Sequence, residues 1–86
     1  MEEIDPGRPE YVYVQVANAI ERKISSGQLR AGARLPGELD LAEQYGVAAG
    51  TIRRALVELR ERGLVVTLPA KGTYVTQTPP ADKDGE

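Results

Sequence analysis

The apolar residues of the chain recur with the period of an α-helix over most of its length. Residues 13–25 carry a single apolar stripe at spacings of three and four residues, and shorter stripes with the same spacing lie in residues 37–45 and 50–62. The pattern predicts three amphipathic helices that pack their apolar faces together. The predicted inward positions are Tyr13, Val16, Ala17, Ile20 and Ile24 in the first helix, Leu41, Ala42 and Tyr45 in the second, and Ile52, Ala55, Leu56 and Leu59 in the third.

After Gly63 the pattern changes to that of β-structure. Residues 64–68 and 73–76 are rich in β-branched and aromatic side chains, and a turn of residues 69–72, which contains proline and glycine, separates them. These segments predict a β-hairpin, and Leu35 marks a candidate short third strand. Three helices followed by a hairpin indicate an α+β fold, mainly α, of the winged helix-turn-helix type, with the hairpin as the wing.

The second and third helices are joined in the manner of a helix-turn-helix. Gly46 can adopt the positive φ that the chain reversal requires, and Val47 can fill the space between the two helices. Pro36 precedes the second helix, and Glu38 and Asp40 lie in its first turn, where the helix dipole favours acidic residues. The helix pattern alone fits a plain helical hairpin in a core equally well. The wing that follows favours nucleic-acid binding.

The composition excludes several classes of site. None of the 86 residues is cysteine or histidine, so the chain has no thiol nucleophile, no disulfide and none of the usual nitrogen and sulfur ligands of zinc. Glu58 and Glu61 lie three residues apart on a helix rich in basic residues, which is not the arrangement of a catalytic carboxylate pair. We therefore expect no enzyme activity, no metal and no cofactor.

The net charge of −2 is distributed unevenly along the chain. Residues 11–77 contain nine Lys/Arg and six Asp/Glu, whereas residues 1–10 and 78–86 carry net charges of −3 and −2. Both terminal segments contain proline, glycine and almost no apolar residues, which predicts disordered tails on either side of one winged-helix domain at 11–77. No apolar run has the length of a membrane span, and the acidic N-terminus does not fit a signal peptide. We expect no membrane partner and a cytoplasmic, nucleoid-associated location.

The beginning of the third helix offers the best candidates for DNA contacts. Ala49 and Gly50 are small, so this end of the helix can approach DNA closely, and its N–H groups and dipole suit a phosphate. Thr51 can donate a hydrogen bond to a phosphate or touch a thymine methyl group.

Two adjacent arginines follow on the outer face of the same helix. Arg53 is the favoured base or phosphate contact. Arg54 is the weaker candidate, because its spacing from Glu58 also allows an ion pair along the helix. Glu58 and Arg62 have the same spacing. Arg60 and Arg62 lie at the far end, where basic residues usually stabilise the helix dipole at the surface.

Lys71 lies at the predicted tip of the wing, between Ala70 and Gly72. A cation with small neighbours on a narrow tip can enter the minor groove of DNA or touch its phosphates. Taken alone, Lys71 is more simply a lysine in a turn. The helix pair that precedes it favours DNA contact, with Gly72 beside it.

Seven short motifs occur in order along residues 9–77. They are YVQV (13–16), ISSGQL (24–29), GARLP (32–36), LAEQYGV (41–47), TIRRAL (51–56), GLV (63–65) and KGTYV (71–75). Together they resemble the N-terminal DNA-binding domain of the GntR family of bacterial transcription regulators. The resemblance implies a winged helix that binds operator half-sites in double-stranded DNA as a homodimer, usually as a repressor. It also implies DNA contact by Arg53, phosphate contact by Thr51 and a contact from Lys71 in the wing.

The chain departs from the family's pattern at several positions. Leu39 stands where the family usually has arginine, and Ala48-Ala49 stand where it has serine or threonine followed by arginine. Gly37 replaces the usual serine N-cap, and Ala70 replaces a common wing glycine. Each lost Arg–guanine contact removes about 1–3 kcal/mol of base discrimination. We therefore expect a different operator or weaker specificity, with Leu39 and Ala49 available for apolar contact to thymine methyl groups.

Two alternatives remain open. The missing arginines and the acidic terminal segments also fit a winged helix that serves mainly as a protein-interaction module, with weak or non-specific DNA binding. Family members usually carry a larger C-terminal domain that senses a metabolite and dimerises, whereas this chain ends at Glu86. It is either a stand-alone small regulator or an excised domain. Because a domain of this size has little room for a ligand pocket of about 300 Å³ or more, we expect no small-molecule effector pocket in it.

Overall fold

Three helices and a two-stranded antiparallel sheet follow one another in the order that the sequence predicts. The computed structural model describes residues 4–7 and 10–76. The helices are α1 (Val12–Ser25), α2 (Glu38–Tyr45) and α3 (Ala49–Glu61), and the strands are β1 (Val65–Leu68) and β2 (Gly72–Val75). The predicted winged-helix fold is confirmed, and every helix boundary lies within one residue of its predicted position.

The core lies where α1 and α3 pack against each other, and it is completed by α2 and the hairpin. Tyr13 and Ile24 of α1 and Ala42 of α2, which the stripes place inward, are only half-buried at the edge of the core. Ala19 and Gln15 are buried instead, although the stripe did not include them. The residues that the stripes predict correctly as buried are Val16, Ala17, Ile20, Leu41, Tyr45, Ile52, Ala55, Leu56 and Leu59.

The turn between α2 and α3 has the geometry predicted for it. Gly46 adopts a left-handed conformation with a φ of 69°, which a residue with a Cβ atom adopts only at a steric cost. The N–H group of Val47 donates to the carbonyl oxygen of Ala42 at 3.0 Å, which closes the end of α2. Val47 packs against the core at its edge. The turn therefore holds α3 at a set angle to α2, as in a helix-turn-helix.

The hairpin is held to the helical body by a short third segment. β1 and β2 pair in antiparallel register, from Val65 opposite Val75 to Leu68 opposite Gly72. Arg34 forms an isolated bridge with Tyr74, and the N–H group of Leu35 donates to the carbonyl oxygen of Thr73 at 2.8 Å. In place of the predicted third strand near Leu35, the structure has a single β-bridge, formed by the preceding residue Arg34. It fixes the direction in which the wing projects.

A buried glutamine holds the N-terminal segment against α1. The side-chain oxygen of Gln15 accepts a hydrogen bond from the N–H group of Asp5 at 2.8 Å. Its amide nitrogen donates to the carbonyl oxygens of Asp5 at 2.8 Å and of Glu10 at 3.1 Å. Ile4 packs against the edge of the core. Ile4 and Asp5 belong to the segment predicted to be a disordered tail, and these contacts give them a defined position. The tail predicted at 78–86 lies outside the described residues.

Candidate nucleic-acid interface

The first turn of α3 is open at the surface. The helix begins after Ala48, which has no side-chain oxygen to bond the first N–H groups. Gly50 is exposed, and a Cβ atom built on it would have no neighbour within 4 Å. Ala49 and Thr51 are half-buried on either side of it. The side of the helix at Gly50 is therefore open, at an end where the N–H groups and the helix dipole favour an anion.

Arg53 lies on the outer face of α3, next to the beginning of α2. Its side chain is 57% exposed, and its Nη1 atom lies 3.8 Å from the Oε1 atom of Glu38. This separation is longer than a hydrogen bond, so the pair is a loose one that solvent screens. Leu39, the neighbour of Glu38 in α2, is 76% exposed and is the most exposed large apolar residue of the described chain. Arg53 on α3 and Leu39 on α2 are thus both exposed on the helix-turn-helix.

The ion pair that spacing suggested between Arg54 and Glu58 is not formed, so that interpretation is wrong. The guanidinium carbon of Arg54 lies 4.5 Å from the centre of the Tyr13 ring, and its Nη2 atom donates to the Tyr13 hydroxyl at 3.4 Å. Glu58 bonds Arg62 instead, at 3.1 Å. Arg54 therefore keeps its charge at the surface, in contact with α1.

Arg62, which we expected to be a plain surface charge, joins α3 to α1. Its Nη1 atom lies 2.6 Å from the Oε1 atom of Glu21, in addition to its bond with Glu58, and its side chain is only 24% exposed. Burial lowers the pKa of Arg62, but the hydrogen bonds to Glu58 and Glu21 outweigh that effect and hold the pKa above its usual value. Arg60 donates to the Thr67 hydroxyl at 2.9 Å. Both arginines serve the fold.

The tip of the wing is narrow and has an unusual backbone. Ala70 has a φ of 65°, in the left-handed region, where a glycine would avoid the steric cost of a Cβ atom. Lys71 is exposed at the turn. Gly72 has a φ of 129°, and a Cβ atom built on it would lie 2.8 Å from the Nε atom of Arg34. The glycine at this position therefore has a packing reason as well as a conformational one.

Arg34 is a basic residue of this surface that the sequence reasoning missed. It is exposed, it pairs with β2 through the bridge to Tyr74, and its guanidinium lies against the backbone of Gly72 beside Lys71. Its position is set by a bridge between segments forty residues apart. No local pattern in the sequence reveals that contact. The wing consequently presents two cations, Arg34 and Lys71.

A solvent-open groove of about 440 Å³ lies beside the turn of the helix-turn-helix. It is lined by Ile4 and Val12 on the α1 side and by Val47, Ala48 and Thr51 on the other. The expectation that a domain of this size has little room for a cavity above about 300 Å³ is therefore wrong as to volume.

In residues 4–7 and 10–76 no group of three His, Cys, Asp or Glu side chains could hold a metal ion, and no helix is long and apolar enough to cross a membrane.

The family model described as "Bacterial regulatory proteins, gntR family" matches residues 12–75. The chain belongs to this family. It is 39% identical over 64 residues to the transcriptional regulator SmoD of Agrobacterium fabrum, covering 74% of this chain and 27% of SmoD. It is 44% identical over 69 residues to the histidine utilization repressor of Klebsiella aerogenes, covering 80% of this chain and 29% of that repressor. The chain thus spans less than a third of the length of these relatives.

A solved structure of the GntR type contains DNA. The structure of AraR(DBD) in complex with operator ORR3 superposes with a TM-score of 0.71 at 30% identity, over 87% of this chain and 96% of that one. The superposition extends over most of both chains. It confirms the fold as the winged helix of the family.

Proposed function

We propose that this chain is a sequence-specific DNA-binding domain of a transcription regulator. It inserts α3 into the major groove and sets the tip of the wing, residues 69–72, on the adjacent minor groove or DNA backbone. The observation that carries the proposal is the exposed first half of α3. There an open helix N-terminus lies beside two arginines that have no tight carboxylate partner in residues 4–7 and 10–76. That arrangement attracts a polyanion although the whole chain has a net charge of −2.

In this proposal the residues in the first half of α3 make different contacts with DNA. The backbone around Ala49 and Gly50 receives a phosphate, and Thr51 donates to it or touches a thymine methyl group. Arg53 contacts a base edge or a phosphate, since it reaches out from the helix and its bond to Glu38 is long enough to break at little cost. Arg54 binds the sugar–phosphate backbone of the DNA. Gly50 lets the helix approach closely because it has no side chain.

The base preference follows from the side chains that replace arginine. Leu39 is exposed on α2, and Ala49 begins α3. Neither can donate a hydrogen bond to guanine, but both can contact a thymine methyl group. We expect the operator to be richer in A·T pairs at the positions facing them.

The wing supplies backbone contacts. Lys71 and Arg34 are the cations near its tip, and the small residue Gly72 lets the strand lie close to the sugar–phosphate chain. These contacts add affinity for any sequence, because phosphates are the same in every base pair.

The expected partner is a double-stranded operator bound by two copies of the chain. One such domain covers one half-site, so two copies on inverted half-sites give tight binding. The names of relatives such as the histidine utilization repressor support repression as the output and a non-enzymatic role. A cytoplasmic, nucleoid-associated location is part of the proposal, because the DNA partner lies there. We propose residues 11–77 as the binding unit and the acidic segment 78–86 as a tail. The acidic segment 1–10 precedes the binding unit, and its Ile4 and Asp5 are held against α1.

One alternative has its own observation in its favour. The exposed apolar side chains of Leu39 and Tyr11 are typical of protein contacts as well as of DNA contacts. In that case the winged helix serves as a protein-interaction module, and it binds DNA weakly or without sequence preference.

The two functions are separated by binding to a library of random-sequence duplexes, measured by fluorescence anisotropy over a range of KCl concentrations. We expect the logarithm of the affinity to fall with that of the salt concentration by about 0.9 for each phosphate contacted. The duplex that binds best is then selected from this library. Arg53→Ala should weaken binding to that selected duplex about tenfold or more, because a bidentate Arg–base contact is worth about 1–3 kcal/mol. Arg22→Ala, in the last turn of α1, is the matched control and should change affinity less than about twofold.

Two results would count against the proposal. Absence of binding to the library at low salt contradicts DNA binding and favours the interaction module. Equal effects of the two arginine substitutions would move the DNA contact away from the outer face of α3.

A further inference from the structure

Three side chains are stacked where the beginning of α1 meets α3, two of them from the N-cap and first turn of α1 and one from α3. The rings of Tyr11 and Tyr13 are nearly parallel, with centres 5.9 Å apart and an angle of 10° between their planes. The guanidinium of Arg54 lies over the Tyr13 ring, 4.5 Å from its centre. Tyr11 is 74% exposed although it is a large aromatic residue. We call these three residues the tyrosine–arginine stack.

The backbone explains how two tyrosines so close in sequence can stack. Residues two apart within a helix point in different directions, about 200° around the axis. Tyr11 lies just outside α1 as its N-cap, with an extended ψ of 147°, so its ring can fold against that of Tyr13 in the first turn. The packing of α1 on α3 then brings Arg54, 41 residues further along the chain, over the same ring.

The stack orients the charge of Arg54 without neutralising it. A guanidinium that lies over an aromatic ring uses its flat face for that contact and keeps its N–H donors free at its edge. One donor is spent on the Tyr13 hydroxyl at 3.4 Å. Within residues 4–7 and 10–76 no carboxylate is ion-paired with Arg54, in contrast to Arg62, which has two. The remaining donors are suited to an oxyanion from outside the chain.

The position of the stack indicates which anion that is. Adjacent residues of a helix are separated by about 100°, so Arg53 and Arg54 lie on opposite edges of the outer face of α3. Arg53 is next to Glu38 of α2, and Arg54 is next to Tyr13 of α1. A helix with its side chains is about 10–12 Å across and the major groove is about 12 Å wide. The two edges of an inserted helix therefore meet the two phosphate strands that border the groove.

We propose that the tyrosine–arginine stack is a site for a phosphate of the DNA strand that passes beneath the beginning of α1. Arg54 binds the phosphate oxygens. Tyr13 is a positioning residue, which holds the guanidinium edge-on to the strand. Tyr11 extends the stack and packs its exposed ring against the adjoining deoxyribose. This inference rests on the proposed function and extends the DNA interface from α3 and the wing onto α1.

The test uses a duplex selected from the random library by the unaltered chain and an unrelated duplex of the same length. A phosphate contact contributes equally to both, because it reads no base. Arg54→Gln should therefore weaken binding to both duplexes by the same factor, about tenfold, and should make the slope of log affinity against log salt shallower by about 1. Arg60→Gln, which makes the same change later in the same helix, should alter neither the affinity nor the slope.

The role of Tyr13 is tested by coupling it to Arg54. Tyr13→Leu should weaken binding to both duplexes about threefold, the effect expected from the loss of a cation–π contact of modest strength. Tyr13→Phe keeps the ring and should bind nearly as the unaltered chain does. In the Arg54→Gln background Tyr13→Leu should have no further effect on DNA binding, because the group that it positions is gone. Thermal unfolding of each variant checks that it is folded.

Several results would overturn the inference while leaving the proposed function intact. They are an unchanged salt slope in Arg54→Gln, a loss confined to the selected duplex, which would make Arg54 a base contact, and additive effects of the two substitutions. Failure of the unaltered chain to bind either duplex would overturn the proposed function and this inference together.

Discussion

The two halves of α3 carry the same type of residue in opposite roles. In the first half, the nearest carboxylate to Arg53 among the described residues is 3.8 Å away, and Arg54 lies on a tyrosine ring. In the second half, Arg62 is bonded to two carboxylates at 2.6 and 3.1 Å, and Arg60 donates to a threonine of the wing. One half therefore presents positive charge to the outside, and the other uses it to hold elements together.

The difference teaches that the number of arginines on a helix does not measure its capacity to bind DNA. A charge that has already exchanged water for two carboxylates gains little from a phosphate, since those bonds must first be broken. A charge held over a ring or beside a distant carboxylate has its attraction for a phosphate still available. On α3 the charges of this second kind are Arg53 and Arg54. They lie near the N-terminal end, where the backbone N–H groups are also without partners in the helix.

The largest effect expected from a change in α3 comes from its inner face, which supports both halves. Leu59 is fully buried, so Leu59→Ala should lower the free energy of unfolding by about 2–5 kcal/mol through lost burial and the cavity left behind. Val57→Ala, on the outer face of the same helix, should lower it by less than about 1 kcal/mol. Urea unfolding of the two variants measures both values.

Similar losses in the two variants would mean that α3 does not pack against the core as described. The DNA affinity of the folded fraction of Leu59→Ala should remain near that of the unaltered chain.

The sequence predicts such buried positions well because they follow the helix period. The stripe of α3 contains Ile52, Ala55, Leu56 and Leu59, and all four are buried. Each of these positions depends only on which face of the helix meets the core, and that face is written locally. The αL turn at Gly46 is equally local, since glycine adopts the conformation without the steric cost of a Cβ atom.

The polar contacts were harder to predict because their partners are distant in sequence. The helix spacing allows Glu58 to pair with either Arg54 or Arg62. Glu21 of α1 adds a second carboxylate beside Arg62, and the ring of Tyr13 receives Arg54, so both choices are made by residues 41 positions away. Buried Gln15 is a similar case, because its partners are backbone groups of the segment that precedes α1.

A smaller effect is expected from the second half of α3. Arg62→Ala should lower the free energy of unfolding by about 1 kcal/mol, since a partly exposed ion pair with two carboxylates lies at the upper end of the usual range. Its affinity for DNA should stay within about twofold of that of the unaltered chain. Arg60→Ala is the control and should cost less than about 0.5 kcal/mol. Urea unfolding and anisotropy on the same samples give the two quantities.

A loss of DNA affinity in Arg62→Ala that matches the loss in Arg53→Ala would contradict the division of α3 into an outward-acting half and a structural half.

That division is tested most directly by mapping the amide signals of the chain by NMR during titration with the selected duplex. Each backbone amide reports on its own surroundings, so the two halves of α3 are compared within one sample. We expect the largest shifts at residues 49–54 of α3 and at residues 70–72 of the wing, with small shifts at residues 58–62. Shifts at residues 58–62 equal to or larger than those at residues 49–54 would contradict the account.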